Sequence, residues 1–90
     1  LGMDPAEIER IIEAEIPDAE ATVTQPRVHG EEEEDAHYAA VVVSPAFEGE
    51  TLVAQHEHVY DALEGHMTTD IHAMEIKTYT PEAYEEHGHN

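Results

Sequence analysis

The chain has 90 residues and no cysteine, enough for one small core but not two, and it can form neither disulfides nor a self-sufficient thiolate metal site. Three basic residues, Arg10, Arg27 and Lys77, stand against 22 acidic ones, for a formal net charge of −19. At ordinary ionic strength such a chain repels itself, nucleic-acid phosphates and anionic membranes.

Apolar residues make up 40% of the chain and recur in regular patterns, which argues against an acidic disordered protein. Replacement of nearly all lysine by Asp and Glu fits a folded protein adapted to multimolar salt, where the screening length falls to about 3 Å. On that reading the acidity reports habitat more than partner. No apolar run approaches the roughly 20 residues of a membrane span, and no basic-then-apolar signal opens the chain, so a cytoplasmic protein is expected.

Asp4-Pro5-Ala6-Glu7 predicts a helix start, with Asp4 capping the free amides, Pro5 in the first turn and Glu7 at the capping-box position. Ile8, Ile11, Ile12 and Ile16 form one stripe, Glu9, Glu13 and Glu15 lie on the other faces, and Pro17-Asp18 ends the helix. From Ala19 to Gln25, Ala21 and Val23 alternate with Glu20, Thr22 and Thr24, as in a half-exposed strand. Arg27 to His37 holds Gly30 and the run Glu31 to Asp35, which no core can absorb; it reads as a solvated loop. The run lacks the Asp/Asn alternation and turn glycine of a calcium loop.

Tyr38 to Ser44, with Val41, Val42 and Val43 in succession, predicts a central strand buried on both faces. Ser44 to Gly49 breaks it, with Phe47 packing under the turn. Thr51 caps the next helix, whose predicted buried stripe is Leu52, Val53, His56, Val59, Tyr60 and Leu63, and Gly65 stops it. In the last strand, Asp70 to Tyr79, His72, Met74, Ile76 and Thr78 share one face. A strand, a helix and a strand in this order favour a right-handed crossover and a parallel pair. Thr80-Pro81-Glu82 opens a short final helix before a frayed tail from His87 to Asn90. The expected fold is α/β (α+β) in the order α-β-β-α-β-α, one domain with a three-stranded mixed sheet and helices on one face.

The segments HYAAVVVSPAFEGETLVAQHEHVYDAL and IHAMEIKTYTPEAY resemble the BolA-like family in their VVVS strand end, F-x-G turn, helix histidine followed by V-Y, I-H-A, and K-T-Y-T-P-E. Five short matches in the right order and spacing carry the resemblance over essentially the whole chain. Where the family has arginines flanking the helix histidine, this chain has Gln55-His56-Glu57. The resemblance implies a class II KH-like fold and a non-enzymatic partner protein. It also implies a [2Fe–2S] cluster shared with a monothiol glutaredoxin, in iron–sulfur delivery and iron homeostasis. Some bacterial members are transcription regulators that bind DNA. On the family pattern, the ligands are the histidine of I-H-A, here His72, and a histidine or cysteine between the first two strands, here His37 or His29.

Eight histidines are several times the usual share. His56 reads as a packed, locally hydrogen-bonded residue, and His58 and His66 as surface. His72, at the start of the last strand, is either a capping or core histidine or a ligand. Two parallel neighbouring strands bring the entrances at His37 and His72 to one end of the sheet, and His29 on its loop ranks second to His37. Imidazole is a good intermediate iron ligand, and release from it is sensitive to protons near the ordinary histidine pKa of about 6.5. Two histidines cannot hold a cluster alone, so none is expected on the isolated chain.

DNA binding is the competing expectation, weakened by the three basic residues and the absence of a G-x-x-G loop. No nucleophile–base–acid set points to an enzyme. The salt reading has a direct check in thermal melts across a KCl series, where the midpoint should rise with salt. A midpoint indifferent to salt would discard halophilic adaptation.

Overall fold

The computed structural model describes residues 4–25, 37–65 and 73–88. Helix α1, Pro5–Glu15, starts on the fixed φ of Pro5, with Glu7 in the first turn, where the helix dipole favours an acid. Asp4 holds extended geometry, but its side chain makes no capping bond; its carbonyl receives the amides of Glu7 (2.9 Å) and Ile8 (3.2 Å). The helix ends at Ile16, which turns extended before Pro17, as the residue preceding a proline must. Asp18 then takes a left-handed φ of 54°, which Asp tolerates better than most side chains. Ile8, Ile12 and Ile16 are buried as expected, each contributing roughly 1.5–3 kcal/mol of apolar transfer free energy.

Strand β1, Glu20–Thr24, alternates exposed and buried as its sequence requires. It pairs antiparallel with β2, His37–Val43, with Ala21 opposite Val42 and Val23 opposite Ala40. The α1 carboxylates close the outer edge of β1. Glu13 Oε2 accepts from the Ala21 amide at 2.9 Å, and Glu9 Oε2 from the Val23 amide at 2.8 Å. The sequence places these acids on the helix faces away from the isoleucine stripe. Their spacing of four on the helix matches alternate amides of the strand beneath.

Strand β2 is central, in the order β1-β2-β3, and pairs parallel with β3, Ala73–Tyr79. Its burial is one-sided, unlike the expectation from the valine run. Tyr38, Ala40 and Val42 are buried, whereas Ala39, Val41 and Val43 are half-buried, because α1 and α2 cover a single face. After β2 a short 3-10 turn, Pro45–Phe47, seats the fully buried Phe47. The buried Ser44 ties three connections together. Its hydroxyl donates to the Pro17 carbonyl (2.7 Å) and accepts from the Ala46 amide (3.0 Å), and its amide donates to the Tyr79 carbonyl (3.0 Å).

Helix α2, Leu52–Ala62, is capped by Thr51, whose hydroxyl accepts from the Ala54 amide, and is followed by Gly65 at a φ of 97°. Its buried stripe is narrower than the expected one. Val59 and Leu63 are fully buried, but Leu52 (61% exposed), Val53 (69%) and Tyr60 (42%) face solvent. On β3, Ile76 and Thr78 are buried and Met74 packs against the core; the expected start of that strand, residues 70–72, lies outside the described residues. Helix α3, Pro81–Gly88, is capped by the Thr80 hydroxyl. It reaches further than expected, since His87 and Gly88 belong to it rather than to a frayed tail. Its Tyr84 and His87 rings lie 5.5 Å and 5.1 Å from Tyr79, on the β3 parity opposite to the core.

The α1–β1 clamp gives a mutational expectation. Glu9→Ala and Glu13→Ala should each lower unfolding free energy by about 1 kcal/mol, and Glu9→Gln, which keeps an acceptor, by less. Urea denaturation checks this; Ala variants as stable as the parent would show that water replaces the carboxylates at no cost.

Candidate functional site

The parallel register of β2 and β3 sets His37, the first residue of β2, opposite Ala73, the first residue of β3. The same register runs to Val43 opposite Tyr79, so both strands start at one end of the sheet. His72 is the residue before Ala73 in the sequence. His72 and His29 lie outside the described residues, and His37 is placed by its backbone pairing. The two neighbouring strands therefore begin side by side, one with a histidine as its first residue and the other following a histidine in the sequence. Among the described residues, no group of three or more His, Asp or Glu side chains converges in a way that could hold a metal ion.

The other histidines divide by environment. His56 is half-buried on α2 and, among the described residues, its ring has no hydrogen-bond partner, in contrast to the locally bonded ring expected from sequence. His58 is exposed yet engaged: its Nε2 lies 2.7 Å from Glu50 Oε1, and its ring packs 6.0 Å from Phe47. His66 and His89 lie outside the described residues.

Gln55 emerges as a residue whose role sequence reasoning missed. Its Oε1 accepts from the Thr78 hydroxyl at 2.7 Å, and its Nε2 donates to the Glu50 carbonyl at 2.9 Å. It thus joins β3 to the loop before α2 and satisfies the hydroxyl of the buried Thr78. The available signal was the four-residue spacing that puts Gln55 in line with Val59 and Leu63 of the predicted stripe. Neighbouring Glu57 is exposed, so this part of α2 presents an acid and a committed amide where the related pattern has arginines.

These observations describe a small α+β domain with a mixed three-stranded sheet and histidine-bearing strand entrances. The family model described as BolA-like protein matches residues 10–83. The structure of a BolA homologue from Coxiella burnetii is 38% identical, covers 92% of this chain and 97% of its own, and superposes with a TM-score of 0.73. The BolA domain of SufE1 from Arabidopsis thaliana is 30% identical, with coverages of 91% and 96% and a TM-score of 0.73. The DNA-binding transcriptional regulator BolA of Escherichia coli is 33% identical over 51 residues, 57% of this chain and 49% of that protein. The chain spans about half or less of the length of the curated relatives it matches. It belongs to the BolA-like family.

Proposed function

We propose that this chain is a partner protein, not an enzyme, that shares a [2Fe–2S] cluster with a monothiol glutaredoxin in iron–sulfur trafficking and iron homeostasis. The observation that carries the reading is the parallel register with His37 opposite Ala73, which brings the two strand entrances together. His72 and His37 are the proposed ligands, with His29 as the loop alternative to His37. The donor chemistry fits: neutral imidazole ligates iron, and histidine on one iron is the pattern of Rieske-type centres. A chain without cysteine supplies at most part of the ligand set, so the partner's cysteine and a thiol such as glutathione complete it. The cluster is then cargo held between two proteins. Protonation of the imidazoles favours release as pH falls through the ordinary histidine range.

Anaerobic reconstitution tests this. The chain alone should form no stable cluster, whereas a mixture with a monothiol glutaredoxin should develop a visible cluster spectrum that His72→Ala alters. A spectrum indifferent to that change removes His72 from the site, and His37→Ala against His29→Ala identifies the second ligand.

A second reading is DNA binding, favoured by the name of the E. coli relative. The net charge of −19, exposed Glu57 and the engaged Gln55 oppose it, because phosphate recognition rests on Lys and Arg. In gel-shift titrations at the protein's working salt, no sequence-dependent retardation is expected. A shift that survives a composition-matched competitor would instead support the regulator reading.

A further inference from the structure

We propose that the chain forms a two-fold dimer by pairing β3 with the β3 of a second copy, extending the sheet across its open edge. The inference is independent of the cluster reading. In the β1-β2-β3 order both outer strands are edges, and they are treated differently. Glu9 and Glu13 occupy the outward amides of β1. On β3 the Tyr79 carbonyl receives the Ser44 amide, so Tyr79, Lys77 and Glu75 direct their backbone groups to β2. The alternate residues Met74, Ile76 and Thr78 therefore direct theirs outward. Among the described residues, no hydrogen bond to these outward groups is found. A seven-residue edge of this kind is a template for another strand.

The side chains select the occupant. Lys77 lies on the exposed face of β3 two residues from Glu75, with Ile76 between them. Antiparallel pairing about a two-fold axis at Ile76 sets each Glu75 opposite Lys77 of the second copy. It also pairs Met74 with Thr78 of the second copy and Ile76 with its counterpart, so outward groups meet outward groups as an antiparallel ladder demands. Moving the axis to Glu75 or to Lys77 sets like charges face to face. One register is thus self-complementary, in a chain with only three basic residues. With the β1 edge occupied, the pairing closes as an isologous dimer instead of propagating.

The helix above the sheet supplies a second, independent observation. Gln55 and Val59 point down toward the sheet, and His58 turns to Phe47 and Glu50. With the right-handed crossover usual for a strand–helix–strand unit, the flank of α2 bearing Val53, His56 and Tyr60 turns toward the β3 edge. That flank carries the exposed Val53 and Tyr60. In the two-fold arrangement the α2 helices of both copies lie on the same side of the joined sheet, with these flanks facing. The apolar surface that the monomer exposes is then covered.

The opposing force is the charge of −19 on each copy, which salt screens. Sedimentation equilibrium of the full chain across a KCl series should show dimer rising with salt and with protein concentration. Hydrogen exchange under dimeric conditions should protect the amides of Met74, Ile76 and Thr78, which exchange rapidly in the dilute monomer. Lys77→Glu or Glu75→Lys alone places like charges at both cross-strand positions and should weaken association by roughly ten-fold or more. The double variant Glu75→Lys/Lys77→Glu restores the pairing, and the two single variants mixed together should form a heterodimer. A chain that stays monomeric at high salt overturns the proposal, as does a dimer in which these three amides stay unprotected. Protection already present in the monomer overturns it too, because the edge is then covered from within the chain. Failure of the double variant to recover would rule out the Ile76-centred register.

Discussion

A parallel neighbour cannot be reached by a hairpin, and the pairing of β2 with β3 imposes that constraint on the whole chain. The segment between the two strands must cross over one face of the sheet, and α2 makes that crossing. Its contacts follow: Val59 and Leu63 fill the core, and Gln55 reaches Thr78 on the returning strand. Ser44 secures the point where β2 leaves the sheet, joined to Pro17 and Tyr79. The register that builds the core also puts His37 level with Ala73. Core packing and the proposed ligand geometry therefore depend on one pairing.

The acidity of the chain has two components that composition alone does not separate. Most carboxylates contribute to the field of the surface and bear on what can approach it. A few act locally: Glu9 and Glu13 accept strand amides, and Glu50 holds His58. Of the local ones, Glu9 and Glu13 do in this fold what an additional strand or a covering loop does in others, closing the outer edge of β1. The same charge that weakens a DNA-binding role is thus also part of how the sheet is bounded.

The order of elements, the single-sided helix α1, the alternation of β1 and the central place of β2 were legible because each rests on local periodicity. Other readings failed where the answer depended on neighbours. Asp4 has the chemistry of a cap but makes no capping bond. The valine run is consistent with burial on both faces, yet Val41 and Val43 are only half-buried, because α1 and α2 pack on the other face. On α2 the expected stripe was too wide: its Val59 and Leu63 are buried, whereas Val53 and Tyr60, on a neighbouring flank, and Leu52, in the first turn, are left toward solvent. Helical periodicity gives the angle between two side chains, not which of them points at the sheet.

For the candidate site the division is similar. The residue types were evident from sequence: histidines at His29, His37 and His72, no cysteine, and arginines missing beside His56. The proposed chemistry, imidazole ligation completed by a second protein, rests on that donor set together with the family resemblance. The sequence by itself also determined the order of the elements, the breaks at Pro17 and Gly65, and the balance of charge. Only the tertiary structure decided the residue-by-residue register of the predicted parallel pair, the use of Gln55 and Ser44 as ties, and the closure of the β1 edge by Glu9 and Glu13. The physical reason is range. Caps, breaks and amphipathic spacing act within a turn or two of the chain, whereas register and edge closure join residues tens of positions apart.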